Sequence, residues 1–286
     1  MKLKPFFSII IPALNEELAL PLLLKDLSLQ NFKNFEVILV DGHSEDKTIK
    51  KASKFLDKLN LKILNSNQRN VSFQRNLGAK IALGEYSVFV DADSRLPKYF
   101  LEGIKYNLSR EPADIFTCWI KPDSNKPADK TIATLINVLL DAAELLDYPG
   151  ALGALIGCKT NKFHKIKGFD QNIPFAEDGE IIRRARKKGL KFIIYRNPRF
   201  TFSFRRFRKK GRLKSLQQYA KLHLKIITQK DINRQEYPMG GQIFNESPAL
   251  QTFIDKVQAS LIATKKKSQL KEKLRSIITV FGNNNS

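Results

Sequence analysis

Short apolar runs rich in β-branched and aromatic residues alternate with helically spaced leucines and isoleucines through the first 120 residues, and this alternation constrains the chain more than any other feature. The runs are Phe7–Ile11, Phe35–Val40, Lys62–Leu64, Tyr86–Val90 and Ile115–Ile120. Between them Leu18, Leu22, Leu23 and Leu27 recur at helical spacing, as do Ile49, Ala52, Phe55, Leu56 and Leu59, while Leu77, Ile81 and Leu83 mark a shorter segment. Strand and helix in alternation predict βαβ units and a mostly parallel sheet. Helical spacing returns at Lys130–Leu146 and across Lys165–Gly189, followed by two short apolar runs, Phe192–Tyr195 and Phe200–Phe204.

A chain of 286 residues with 42% hydrophobic and 27% charged residues can bury a substantial core, which excludes wholesale disorder, collagen and coiled coil. Cys118 and Cys158 are the only cysteines, and with no Cys/His cluster neither a disulfide framework nor a structural zinc site is expected. The longest apolar region, Ala133–Cys158, is interrupted by Asp141, Glu144, Asp147, Pro149 and Gly150, so no membrane span is expected. A reducing, cytoplasmic setting fits this cysteine usage. The unusual quantity is charge: 50 Lys and Arg against 28 Asp and Glu give +22, and such an excess calls for an anionic partner. Charge alone does not choose among nucleotide, lipid surface, acidic polymer and nucleic acid.

In open α/β sheets the ligand sits beyond the carboxyl ends of the strands. Here those ends are polar in a consistent way. The first strand runs into Pro12-Ala13-Leu14-Asn15-Glu16-Glu17, the second into Asp41-Gly42-His43-Ser44-Glu45-Asp46, and the fourth into Asp91-Ala92-Asp93-Ser94. Any one of these, Ser44 and Asp46 above all, reads equally as a helix cap. Asp91 and Asp93 resist that reading, because two carboxylates one residue apart at the end of a buried strand repel unless a cation or donors compensate them. A hard divalent ion bridging diphosphate oxygens would do so.

These residues resemble the nucleotide-sugar glycosyltransferases of family 2, which have the GT-A fold. The likeness is collinear over roughly Phe7–Gly189, through SIIIPALNEE (Ser8–Glu17), VILVDGHSEDKT (Val37–Thr48), QRNLGAKIALGEYSVFVDADSRLP (Gln74–Pro97) and KGFDQNIPFAEDGEIIRRARKKG (Lys167–Gly189). The resemblance implies a GT-A α/β fold, a mostly parallel mixed sheet flanked by helices. It implies that Pro12, Ala13, Asn15, Glu16 and Asp41 contact base and ribose, with Arg75 near base and phosphates. It implies that Asp91, Ala92 and Asp93 form an Asp-x-Asp motif in which Asp91 and Asp93 hold the ribose and a Mg²⁺ or Mn²⁺ ion on the diphosphate. Glu177 and Asp178 match the acidic pair on the acceptor side, with Asp178 as general base, and Arg184 matches the arginine that follows it. The implied activity is inverting, metal-dependent transfer of a sugar to a hydroxyl acceptor, saccharide or lipid-linked, in cell-envelope, polysaccharide or glycolipid synthesis.

Other residues read as structural: His43 as a turn residue, Phe116, Cys118 and Trp119 as core, and Gly153–Gly157 as close backbone packing. His164 and His223 have no spacing that demands a metal. From Arg183 to Lys214 there are fifteen Lys or Arg and no acidic residue, interleaved with Phe200, Phe202, Phe204 and Phe207. This belt suits phosphate or an anionic membrane surface, peripheral on the inner face. The economical division is a catalytic domain over 1–214, with a nucleotide half (1–121) and an acceptor half (122–214), and a basic amphipathic helical extension over 215–286. Two other readings stay open: a nucleotidyltransferase on a similar sheet, and a basic protein that binds nucleic acid or an anionic surface. Nucleic acid is favoured by the charge alone.

Overall fold

The structure is a computed structural model that describes residues 4–145, 149–173, 176–205 and 208. The chain divides into two units, Met1–Leu140 with Tyr148–Ser203 and Asp141–Asp147 with Phe204–Ser286. Of the second unit only residues 141–145, 204–205 and 208 are described. The 215–286 extension with His223, the domain boundary at 214/215 and the end of the basic belt (206, 207 and 209–214) lie outside the described residues.

The first unit is built on one seven-stranded sheet in the order β3-β2-β1-β4-β6-β5-β7. Its strands are β1 (Phe7–Ala13), β2 (Phe35–Asp41), β3 (Leu61–Asn65), β4 (Tyr86–Val90), β5 (Ile115–Pro122), β6 (Leu155–Lys159) and β7 (Phe192–Phe202). The helices are α1 (Leu20–Ser28), α2 (Thr48–Ala52), α3 (Val71–Lys80), α4 (Phe100–Arg110), α5 (Pro127–Leu145), α6 (Thr160–Lys165) and α7 (Glu177–Lys187). β1 pairs in parallel with β2 and β4, and β2 with β3. β6 runs antiparallel to both β4 and β5, and β5 pairs in parallel with β7. The expected mixed, mostly parallel α/β sheet is therefore present.

The physical cause is visible strand by strand. β1, β2 and β4 are almost wholly buried, as parallel strands covered on both faces must be, which is why they read as continuous apolar runs rather than alternations. On one face Ile10, Ile38, Val40, Phe89, Ile156 and Phe163 belong to a single apolar cluster. The exception within β2 is Glu36, whose buried carboxylate accepts bonds from the Ser8 hydroxyl (2.7 Å), the Leu83 N–H (2.7 Å) and Lys62 Nζ (2.9 Å). Burial opposes its charge, but these donors outweigh burial and hold its pKa below the ordinary value. They fix the turn that feeds β4.

Several boundaries differ from the sequence expectation. The two runs Phe192–Tyr195 and Phe200–Phe204 join as one strand, β7, with a register shift opposite Cys118–Ile120. Within the Lys165–Gly189 stretch only α7 is helical: α6 ends at Lys165, and Lys167 and Gly168 follow at positive φ, which α-helix excludes. Trp119 is only half-buried, with the guanidinium carbons of Arg196 and Arg199 at 5.1 Å and 4.9 Å from its ring, whereas Phe116 and Cys118 are core. Among the described residues no helix is long and apolar enough to cross a membrane.

Candidate active site

Parallel pairing brings the ends of β1, β2 and β4 to one edge of the sheet, since Pro12 and Ala13 stand opposite Val40 and Asp41 and β4 lies on the other side of β1. The loops that follow are tied to each other through their polar groups. The Gly42 N–H donates to the Ala13 carbonyl (2.8 Å), the Asn15 N–H to Ser44 Oγ (2.9 Å) and the Glu45 N–H to Asn15 Oδ1 (2.8 Å). The Glu16 N–H donates to Thr48 Oγ1 (2.8 Å), and Asp46 accepts from the N–H groups of Glu17 (3.1 Å) and Thr48 (2.8 Å). Ser44 and Asp46 thus serve the loop backbone, Ser44 away from any helix start and Asp46 at Thr48, the first residue of α2, whose N-cap position is Lys47 with no side-chain cap bond. Asn15 sits at φ 54, a conformation Asn tolerates better than most side chains. His43, at φ 64, is exposed, and its carbonyl accepts from Arg69 (3.2 Å).

Asp41 is 4% exposed. Its Oδ2 accepts the Ser44 N–H at 2.9 Å, while its buried Oδ1 has no hydrogen-bond partner. A buried acceptor left unmade costs about 1–3 kcal/mol, so this oxygen is suited to a donor that arrives with a ligand. Gly42 beside it has no room for a Cβ, because that atom would overlap the amide of Gln74 on α3.

α3 carries Arg75, which is 2% exposed. Its Nη1 donates to Glu177 Oε1 (2.8 Å), and its Nη2 donates both to Asp91 Oδ1 (3.0 Å) and to the Gly153 carbonyl (2.8 Å). The guanidinium stands 5.1 Å from the Phe169 ring, and its Nε, also buried, has no hydrogen-bond partner. Burial works against this charge, yet Asp91 and Glu177 hold its pKa above the ordinary arginine value. One cation therefore joins the end of β4 to the start of α7. α3 is held for this purpose by Asn70, whose Oδ1 caps the Phe73 N–H (2.9 Å), and by Asn76, which exchanges two bonds with the backbone of Phe169 (2.8 Å and 2.9 Å).

Asp178 lies in the first turn of α7. Its Oδ2 accepts the Gly153 N–H at 2.7 Å and its Oδ1 accepts the Gly179 N–H at 2.7 Å. Burial first, and the neighbouring Glu177 charge second, push its pKa up to about 7, against the pull of the two N–H groups and Arg75. Gly153 thus bridges Arg75 and Asp178 through its own backbone, and a Cβ there would stand 3.3 Å from both side chains. From sequence, Gly153–Gly157 reads as close backbone packing or as room for the approach of an acceptor or donor sugar; a lone Gly in an irregular segment carries no signal of such a bridge. At Gly157 the packing reading fits, since a Cβ would overlap the Phe116 ring.

Asp91 and Asp93 occupy the turn after β4, where the Asp91 N–H donates to the Ala154 carbonyl (3.1 Å) and the Ser94 N–H to the Asp91 carbonyl (3.0 Å). Ala92 between them is buried. The far side of the turn is anchored to α1, because Asp26 accepts from Arg95 Nε (2.5 Å), Arg95 Nη2 (2.7 Å) and the Leu96 N–H (3.0 Å). No cluster of three or more His, Cys, Asp or Glu occurs among the described residues. Two neighbouring carboxylates suit a hard cation that takes its remaining ligands from phosphate and water, rather than one caged by protein alone. Arg184 stands apart from this group. It is committed to Glu180 (2.7 Å and 2.8 Å) and to the carbonyls of Gly168 (2.6 Å) and Ile166, so it clamps α7 to the turn after α6.

Residues 8–211 match the family model described as glycosyl transferase family 2. The chain is 34% identical over 119 residues to the poly(ribitol-phosphate) beta-N-acetylglucosaminyltransferase TarS of Staphylococcus aureus, covering 40% of this chain and 21% of that protein. It is 36% identical over 94 residues to a PGL/p-HBAD biosynthesis glycosyltransferase of Mycobacterium bovis, covering 32% and 37%. Over 110 residues it is 34% identical to the amylovoran biosynthesis glycosyltransferase AmsB of Erwinia amylovora, covering 36% and 35%. The matches thus span between about a fifth and about two fifths of these relatives. Among solved structures, S. aureus TarS 1–349 superposes with a TM-score of 0.60 at 19% identity, covering 98% of this chain and 73% of that one. The mannosyltransferase PcManGT from Pyrobaculum calidifontis, in complex with GDP-Man and Mn²⁺, gives 0.62 at 17%, covering 100% and 77%. These structural likenesses are of fold, and the fold is GT-A.

Proposed function

We propose that this chain, which belongs to glycosyl transferase family 2, moves one sugar from a nucleoside diphosphate donor to a hydroxyl acceptor with inversion at the anomeric carbon. The observation that carries the reading is the single buried guanidinium of Arg75, in contact with Asp91 on the strand-end side and with Glu177 and Gly153 beside Asp178. Strand ends that suit a nucleotide and a carboxylate that suits proton transfer are thereby parts of one cleft.

The open Oδ1 of Asp41 takes a donor group of the nucleoside, and the Pro12–Glu16 loop forms the wall beside it. Asp91 and Asp93 would hold Mg²⁺ or Mn²⁺ together with the diphosphate, and the bound ion neutralises charge on the departing nucleoside diphosphate. Asp178 takes the proton from the acceptor hydroxyl as it attacks. A carboxylate whose pKa stands near 7 is matched to that task, because it is substantially ionised at neutral pH and still basic enough to accept the proton. Attack from the face opposite the leaving group, in one displacement, inverts the configuration. Arg75 pairs with Glu177 and Asp91 and, by holding the Gly153 carbonyl, positions the Gly153 N–H that binds Asp178.

Arg184 is assigned no donor contact, since its guanidinium is spent on Glu180 and two carbonyls. The relatives named for UDP-GlcNAc, GDP-Man, poly(ribitol-phosphate) and amylovoran support a nucleotide-sugar donor and a saccharide or lipid-linked acceptor. The experiment is Asp178→Asn with donor binding and transfer measured separately. Donor affinity stays near that of the parent and transfer falls by about 10²–10⁴-fold, the usual worth of a general base. Undiminished transfer removes Asp178 from this role.

A further inference from the structure

Helix α1 is apolar on both sides. Its inward residues Leu20, Leu23, Leu24 and Leu27 are fully buried, as a helix packed on a sheet requires. On its outward side the helix exposes Leu22 and Lys25, while Leu18 in the turn before it and Leu29 just after it are also exposed, the three leucines Leu18, Leu22 and Leu29 by 74%, 45% and 57%. A helix that packs on a core with one face ordinarily carries polar residues on the other, so three exposed leucines on and flanking α1 ask for a partner.

What surrounds the stripe selects that partner. α2 packs against α1 and is tied to its start by the Lys51–Glu17 ion pair (3.3 Å) and by the Glu16 N–H bond to Thr48. The segment from α2 onward presents Lys47, Lys50, Lys54 and Lys58, all exposed and none paired with a carboxylate among the described residues. Asp57 is the single acidic residue from Lys47 to Lys62. Exposed leucines bordered by uncompensated lysines match the surface of an anionic bilayer, where leucines enter the boundary of headgroup and acyl chain and lysines meet lipid phosphate. A protein partner would need a matching acidic rim; a bilayer presents both chemistries everywhere.

We infer that the α1–α2 face docks this protein on an anionic phospholipid membrane. The docking holds whether or not the adjacent candidate site transfers sugar. Because α1 begins immediately after the Asn15–Glu17 loop, docking sets one wall of the candidate donor site beside the lipid surface.

The test uses the full chain in flotation assays with phosphatidylcholine vesicles, with and without phosphatidylglycerol. The parent floats with the mixed vesicles and stays behind with phosphatidylcholine alone. Leu18→Ser/Leu22→Ser lowers partition roughly tenfold or more, and Lys50→Glu/Lys54→Glu does the same, each variant melting like the parent because the altered side chains are exposed. Added salt weakens the parent and the leucine variant alike but has little further effect on the lysine variant. A parent that ignores phosphatidylglycerol overturns the inference. So do α1–α2 variants that float like the parent while Arg196→Glu/Arg199→Glu is lost, which would move binding to the belt. A parent that forms a dimer dissolved by the leucine substitutions, with no vesicle binding, overturns it in favour of a second copy of the chain.

Discussion

Asp178 and Arg75 set the behaviour of the cleft at the scale of single residues. The folded chain raises the Asp178 pKa from 3.8 to about 7, so folding favours its protonated form. Its contribution to stability is complete below pH 3.8 and is lost as the pH rises to about 7. Under the proposed role transfer follows the opposite course, because a general base works in its ionised form. The rate therefore climbs with pH across about 7 while the parent's melting temperature declines over the acid side of the same range, and the decline is absent in Asp178→Asn. A rate profile flat through neutrality contradicts the assignment. Arg75→Ala leaves Glu177 and Asp91 without their cation in a poorly solvated place, and a loss of about 3–5 kcal/mol in denaturant unfolding is expected. Arg75→Lys recovers little, since an ammonium cannot reach two carboxylates and a carbonyl in the fixed directions of a guanidinium.

Elements show where sequence reading works and where it stops. β1, β2 and β4 are legible because burial on both faces writes itself as an unbroken apolar run. α3 is legible only in its last turns, for a physical reason: its inward face carries buried polar residues, Ser72, Gln74 and Arg75, the last of which joins Asp91 to Glu177, so apolar periodicity fails there. β6 is hidden by its shortness and by Gly157, which exists to admit the Phe116 ring. α4 escapes notice although Phe100, Leu101, Ile104 and Leu108 hold helical spacing. Arg184 shows the limit of motif matching, since its place in the pattern points to the ligand while its contacts point to the α6–α7 corner. Arg184→Gln frees the Ile166 and Gly168 carbonyls and is expected to cost about 1–3 kcal/mol in thermal or denaturant unfolding. Donor affinity, measured on the same variant below its melting range, stays within error of the parent.

At the scale of the whole molecule, the parallel half of the sheet gathers the loops after β1, β2 and β4, and the antiparallel β6 brings Gly153 to them from the opposite direction. That reversal brings Gly153, and through it Asp178 on α7, to the edge where β4 ends, and no local pattern encodes it. The order of the four sequence motifs does carry it, because collinear motifs on a sheet of fixed hand have few ways to converge. The net charge of +22 is a property of surfaces rather than of the candidate site, which gathers Asp41, Asp91, Asp93, Glu177 and Asp178 and where Arg75 pairs with Asp91 and Glu177. The most direct test of the account is calorimetric titration of uridine and guanosine diphosphates, each with and without Mn²⁺, into the parent and Asp93→Ala. The account predicts saturable binding of at least one diphosphate to the parent that depends on Mn²⁺ and is lost in Asp93→Ala with folding intact. No binding to the parent in the presence of Mn²⁺, or binding indifferent to both the ion and Asp93, would contradict it.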